Sequence, residues 1–446
     1  MVRGTSRKAS AYTVAPKFDS SNCTVRRIRP VRTITTRSQL KNSSDFFQGL
    51  PLEVFHIILD QLSVLEISVF CLTSKKMTSC VVNFISTLAW KSKSILKNIH
   101  NTTFPGQTSA GEQFRDLGLL FKRCTMLLPT KERLKFILNK FLQVPCFMLE
   151  ECSVPNCIGL VRYGVFLQTL IAGWDEVECH RVFIFLCDIT NLLTRIQSVI
   201  TGKPGLKGFE ELELRYFCRK VLLDLSPNQL DCQFWLLCLL KPWPLVHQAH
   251  LLLILYGPLL SEGSICWHDL VVRGLPQDAL WDLARAILLL FNKPDVKDWT
   301  TQSTLAVFAE ITAIPHPWHV ENVARLLVLC GTKLCYTVLA SRALCGRIKE
   351  IAKVIVYIIL VCEKDGYQMT WAVKLVQHIH MCFKSAVEKF IFIHQLENTF
   401  SEVTKEFYEI YVAGNHLDAR EAFGTLCLLL HANATFHAKF LHMMLK

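Results

Sequence analysis

No apolar run in this 446-residue chain is long enough to cross a bilayer: the longest uninterrupted stretches, such as Val354–Cys362, cover about half of the roughly 20 residues a spanning helix needs. Charge is scarce too. Only 19% of residues are charged against 51% apolar, and mean hydropathy is +0.29. With no span to absorb that excess, the expectation is a thick helical core, together with an apolar surface that a partner covers. Cysteine is plentiful, at nineteen, yet no two are spaced C-x2-C, so the usual zinc-knuckle and ribbon patterns are missing. There is no signal-peptide pattern. Cys71, Cys187, Cys238, Cys330 and Cys362 sit in apolar surroundings, where a thiol packs as a small hydrophobe. The combination reads as a reducing compartment, cytosol or nucleus, with thiols in place of disulfides. Alternating strand-like runs with hairpin signals are also scarce. Trp174-Asp175 and Trp281-Asp282 lack the roughly 40-residue spacing of propeller blades, leucine-rich repeats are missing, and no strict internal period is found.

What is present is helical and unevenly charged. Of the formal net charge of +12, residues 1–40 supply +8, from nine basic side chains set against Asp19 alone. The excess therefore belongs to a tail and does not argue for a nucleic-acid groove in the body. Residues 1–44 are rich in Ser, Thr and Arg, poor in large apolar side chains and interrupted by Pro16 and Pro30, which predicts disorder. Within them Arg26, Arg27, Arg29 and Arg32 fit a nuclear-import signal or a phosphate-backbone contact, with a plain solvated tail as the alternative. No amphipathic run of the kind a mitochondrial transit peptide carries is evident. The polar, turn-rich stretch 100–113 reads as a linker between a module at 45–99 and a body at 114–446, with a subdivision of the body near 292–300. In the body, Leu134, Ile137, Leu138 and Phe141 share a face after Thr130, expected as an N-cap. Phe392, Leu396, Phe400, Val403, Phe407 and Tyr411 form a stripe that stops at Gly414-Asn415. Breaks fall at 202–208, 241–244, 257–264, 292–298 and 314–318. The expected fold class is all-α: a three-helix module, then a large, solenoid-like helical domain of paired antiparallel helices.

The module carries the most specific pattern. Pro51 suits the first turn of a helix and Glu53 the positive end of its dipole. Val54, Ile58 and Leu62 then recur at i, i+4 and i+8, flanked by Phe55, Ile57 and Leu59. Ser63 and Glu66 form an S-x-x-E capping box that starts a second helix with Ile67, Val69, Phe70 and Leu72. Ser74 can cap a third, whose face runs through Met77, Val81, Ile85 and Leu88. So much apolar surface cannot be enclosed by about 45 residues alone, and a stable hydrophobic partner is implied.

The register from Leu50 to Lys76 resembles the F-box, the module that joins a protein to the Skp1 adaptor of cullin-based ubiquitin ligases. The resemblance assigns Skp1 contact to Leu50, Pro51, Glu53, Val54, Ile57, Ile58, Leu62, Leu65, Ile67, Val69, Leu72, Ser74 and Lys75. Two departures stand out: Thr73, where the family often has an apolar residue, and Ala89-Trp90, where it often ends in Leu-Trp. The resemblance implies a substrate-recognition subunit, linked through Skp1 to cullin and RING subunits and gripping a target protein with its helical body. The stretches Gly118–Ile137, Phe166–Phe183 and Lys241–Pro258 resemble a germ-cell branch of the same family, which implies a meiotic setting and work in the nucleus, with the cytoplasm as a second location. A non-catalytic scaffold that binds chromosomal or telomeric proteins, with Skp1 as a stabilising partner, is the alternative.

Signals for chemistry are weak. His247 and His250 could share a helical face but lack a nearby third ligand. Cys179-His180 are sequence neighbours, whereas a catalytic pair meets in space. GKPGLKG at 202–208 has Pro204 where a phosphate loop needs Ser or Thr, and reads as a turn. Asp175, Glu176 and Glu178 read as a solvated face. No enzyme activity, cofactor or metal is expected.

Overall fold

The computed structural model describes residues 50–100, 110–141, 144–149, 157–224, 229–292, 299–414 and 416–445. The expected basic tail, with Arg26, Arg27, Arg29 and Arg32, lies outside them, as do most of the expected linker and of the 292–300 subdivision. The chain falls into two compact units, Met1–Ile57 and Ile58–Lys446. Its helices are α1 (Leu52–Gln61), α2 (Val64–Phe70), α3 (Lys75–Ile85), α4 (Leu88–Lys91), α5 (Ala110–Cys124), α6 (Thr130–Phe141), α7 (Pro145–Met148), α8 (Ile158–Ile171), α9 (Glu176–Thr190), α10 (Leu192–Ile200) and α11 (Gly208–Phe217). They continue as α12 (Gln229–Leu240), α13 (Leu245–Tyr256), α14 (Trp267–Val272), α15 (Trp281–Phe291), α16 (Thr301–Ile311), α17 (Val320–Leu329), α18 (Gly331–Leu344), α19 (Ile348–Lys364), α20 (Met369–Cys382), α21 (Ala386–Ala413) and α22 (His416–Met444). Among the described residues there is no β-strand, only an isolated bridge between Leu259 and Ile265. The all-α class is as expected. No single described helix is long and apolar enough to cross a membrane.

Local chemistry sets the helix ends. In the first unit the Phe55 N–H donates to the Pro51 carbonyl (3.1 Å), so α1 starts where proline's fixed φ favours it. In the second, Ser63 Oγ accepts from the Glu66 N–H (3.2 Å) while a Glu66 carboxylate oxygen accepts from the Ser63 N–H (2.8 Å), the reciprocal pair that the spacing predicts. The Ser63 N–H, and then the Ser63 hydroxyl, which donates to the same carboxylate (2.8 Å), hold the Glu66 carboxyl below its ordinary value. Ser74 Oγ accepts from the Met77 N–H (3.2 Å) at the start of α3. The third helix, expected to run on to Leu88, ends at Ile85. The Thr87 hydroxyl accepts from the Trp90 N–H and opens α4, which leaves Leu88 76% exposed and turns Trp90 inward. Thr130 also departs from expectation: its hydroxyl donates to the Glu178 carboxylate on α9. Between α9 and α10 Asn191 takes a left-handed turn (φ 51°), a conformation its short amide side chain tolerates.

A row of aromatic rings joins α4 to the body within the second unit. Trp90 meets Phe121 edge-on (6.4 Å between centroids), and Phe121 meets Phe166 edge-on (5.8 Å) and Phe141 at 5.5 Å. Phe141 stacks on Phe147, and Tyr163 continues the row to Phe217. Deeper in the body, α19 is enclosed by α17, α20, α21 and α22 and buries every side chain from Val354 to Cys362. Phe392, Leu396, Phe400 and Val403 of the expected stripe are buried, whereas Tyr411 is exposed near the end of α21, which stops before Gly414.

The body also buries charge. Arg325 donates to Glu321 (3.0 Å), to both Asp365 oxygens (2.9 and 3.2 Å) and to the Leu275 carbonyl, and Lys364 closes on Glu321 (3.0 Å). Burial alone would raise the Glu321 carboxyl, but Lys364 and Arg325 outweigh it and hold it below the usual range. Neighbouring buried Asn322 accepts from the Leu275 N–H (2.8 Å) and donates to the carbonyls of Leu270 (3.0 Å) and Arg273 (2.8 Å), pinning the turn after α14 through its one buried residue, Leu275.

Candidate functional site

The thirteen candidate contact residues divide between the two units. In the first, Pro51, Glu53, Val54 and Ile57 are exposed and Leu50 is half-buried. In the second, Ile58 and Leu62 are half-buried, and Ser74 and Lys75 are exposed at the start of α3. Leu65 (43%), Val69 (52%) and Leu72 (50%) leave large apolar side chains in water on and just past α2. Their positions follow i, i+4 and i+7, one face of a helix. Ile67 departs from the set. It is 1% exposed and lies with Ser68 and Cys71 on the inward face, so it serves the packing of the module and offers no outer contact.

Polar bonds fix that inward face. Arg123 on α5 donates to Ser68 Oγ (2.6 Å), and Ser68 Oγ donates to the Leu65 carbonyl (2.7 Å). Thr78 Oγ1 donates to the Cys71 carbonyl (2.6 Å), tying α3 to the end of α2. Burial pushes the Cys71 thiol up, with Arg123 opposing it. Rolling α2 to hide Leu65, Val69 and Leu72 would break these bonds and expose Ile67. The helix is therefore held with an apolar stripe outward, an arrangement that suits docking of another protein.

A family model described as F-box domain matches residues 47–88, and one described as FBXO47, ARM repeats matches residues 189–423. F-box only protein 47 of Mus musculus is 41% identical over 443 residues, 98% of each chain. F-box only protein 47 of Homo sapiens is 42% identical over 402 residues, 89% of each chain. The chain belongs to the F-box only protein 47 family. No solved structure matches it. F-box proteins are generally adaptors, not catalysts, and the F-box domain generally implies Skp1 binding. The ARM-repeat match also accounts for the body that carries no strict sequence period: a helical repeat conserves how helices stack, and many apolar residues can fill the same place.

The residues weighed for chemistry serve the fold. His250 is buried, with Nδ1 3.1 Å from the Ile200 carbonyl, and burial lowers its pKa. Burial, then the acidic neighbours Asp231 and Asp175, push the Cys179 thiol up to about 11. Its sequence neighbour His180 points Nδ1 at Cys238 Sγ, 3.9 Å away. Asp175 caps α9 by accepting from the Glu178 N–H (2.8 Å), and Glu178 pairs with Arg181. The 202–208 loop is a turn: Gly205 has φ +79°, and its N–H donates to the buried Glu211 (2.7 Å), which also accepts from the Trp267 indole (2.9 Å). One cluster that no spacing rule singled out does offer ligand atoms to a metal: His100, Cys146 and Cys157.

Proposed function

We propose that this protein is the substrate-recognition subunit of a Skp1–cullin–F-box ubiquitin ligase. Skp1 docks on the F-box, and through it the cullin and RING subunits are recruited. The observation that carries the reading is the outward stripe of Leu65, Val69 and Leu72 on a helix locked from behind by Arg123 and Ser68. Covering such side chains with a partner contributes about 25 cal/mol per Å² of apolar area buried. The remaining members of the contact set are Leu50, Pro51, Glu53, Val54, Ile57, Ile58, Leu62, Ser74 and Lys75. The helical body holds the target, and tethering raises the target's effective concentration beside the charged conjugating enzyme. An open cleft of about 640 Å³ between α21 and α22, lined by Phe400, Tyr408, Leu426 and Leu430, has room for a few side chains of such a target.

Co-purification with Skp1 tests the docking half. Native protein should retain Skp1, and the Leu65→Ala/Val69→Ala and Leu50→Ala/Pro51→Ala variants should lose it. Equal recovery with native and variant protein sinks the proposal. The scaffold alternative is separated by proteasome inhibition: a ligase receptor's bound target accumulates as ubiquitin conjugates, and a scaffold's does not. Work in the nucleus of meiotic germ cells, with some protein in the cytoplasm, is part of the proposal and rests on the likeness to the family. Replacing Arg26, Arg27, Arg29 and Arg32 by Ala should then shift a fluorescent fusion out of the nucleus.

A further inference from the structure

Three side chains far apart in sequence bring soft donors to one point. His100 Nε2 lies 3.0 Å from Cys146 Sγ, and Cys146 Sγ lies 3.5 Å from Cys157 Sγ. All three donor atoms fall within 4.8 Å of one another. Each comes from a different piece of the second unit: His100 from the segment after α4, Cys146 from α7, and Cys157 from the residue that precedes α8. Both cysteines are buried and the histidine is exposed, so the cluster has a closed sulfur side and an open nitrogen side.

The surroundings are shaped for these donors. A Cβ at Gly159 would stand 2.6 Å from Cys146 Sγ, 3.0 Å from His100 Nε2 and 3.3 Å from Cys157 Sγ, so only glycine leaves the space around which they converge. From the next turn of α8, Arg162 donates to the carbonyls of Asn98 and Ile99 (2.8 Å to the latter), which fixes the backbone leading into His100.

From this geometry we propose that His100, Cys146 and Cys157 bind one zinc(II) ion, with the fourth position open to water on the His100 side. Two thiolates and an imidazole suit zinc by softness. With Zn–S near 2.3 Å and Zn–N near 2.0–2.1 Å, tetrahedral ligation spaces the donors at roughly 3.5–3.8 Å. The observed 3.0 and 3.5 Å separations open to those values with shifts of a few tenths of an ångström. On binding, the two thiol protons leave to solvent and the charges of the thiolates balance that of the ion. The ion ties the segment after α4 to α7 and α8, so its role is to hold that segment against the start of the body. The assignment stands apart from Skp1 docking.

The test uses the full chain, purified under reductant, stripped with a chelator and titrated with cobalt(II), then zinc(II). One equivalent of cobalt should bind with thiolate-to-cobalt charge-transfer bands and be displaced by zinc. Cys146→Ser and Cys157→Ser should each diminish the bands, and the double variant should abolish them. His100→Ala should weaken binding by at least the roughly 10- to 100-fold that loss of even an outer-sphere partner costs. Gly159→Ala keeps every donor and adds one methyl, and should weaken binding by more than about tenfold, or about 1.4 kcal/mol. Native chain without charge-transfer bands overturns the assignment, as do bands that persist in the double cysteine variant or unchanged affinity in Gly159→Ala. Recovery of a Cys146–Cys157 disulfide from the chain as isolated would also overturn it, in favour of a redox pair. The native titration decides even where a variant fails to fold.

Discussion

Helices α2 (VLEISVF) and α19 (IKEIAKVIVYIILVCEK) are built from much the same residues and end in opposite surroundings. In α19 the run from Val354 to Cys362 is entirely buried, because α17, α20, α21 and α22 close around it. In α2 only Ile67 and Ser68 are buried, and Leu65 and Val69 face water. The difference is one of neighbours, not of composition. α19 has its partners within the chain, whereas α2 has α5 and α3 behind it and nothing of the described second unit over its outer face. Apolar residues buried within the chain contribute to stability, and those left outside are available for association.

Substitutions on each side can break that contrast. The largest effect is expected in the polar support of the α19 region. Arg325→Ala removes the guanidinium from Asp365 and the Leu275 carbonyl and leaves Glu321 with Lys364 alone, and should cost about 3–5 kcal/mol, read from denaturant unfolding. Ile358→Ala on α19 should cost about 2–5 kcal/mol by the same measurement. Removing the Ser63 cap by Ser63→Ala should cost about 1 kcal/mol, through the loss of a satisfied N–H at the start of α2. On the outer face, Leu65→Ala and Val69→Ala should each change stability by no more than about 0.5 kcal/mol while Skp1 recovery falls. A large loss of stability in those two variants would erase the distinction between the helices.

Acidity probes the helical body. His250 and His319 have pKa values lowered in the fold, chiefly by burial, so unfolding takes up a proton at each once pH falls below about 6.5. Their share of stability is present above that pH and is lost as pH drops towards their folded values. Glu321, also lowered, adds a further loss as pH falls below the ordinary carboxylate range. The denaturant midpoint should therefore decline from pH 7 to pH 4, and His250→Gln should flatten the upper part of that decline.

How much of the molecule is legible in sequence depends on how local the cause is. The capping box at Ser63–Glu66, the Ser74 cap and the end of α21 before Gly414 are set within a few residues, and the pattern predicts them. Leu88 is misplaced by the pattern because helical periodicity carries on through Ser86 and Thr87, while the Thr87 hydroxyl starts a new helix and swaps Leu88 for Trp90. Ile67 falls in the expected contact set because a nearly all-apolar seven-residue helix does not reveal which face is covered. Glu321 and Arg325 sit at i and i+4 and look like a solvated pair. Their burial depends on Asp365, 40 residues from Arg325. His100 stands 46 residues from Cys146, a separation no ligand-spacing rule covers.

The row of rings from Trp90 through Phe121 and Phe166 makes α4, α5 and α8 share one keystone within the second unit. Trp90 on α4 and Phe166 on α8 both meet Phe121 on α5 edge-on, so one ring serves as packing partner to two helices. A cavity at Phe121 would therefore loosen α4 and α8 together.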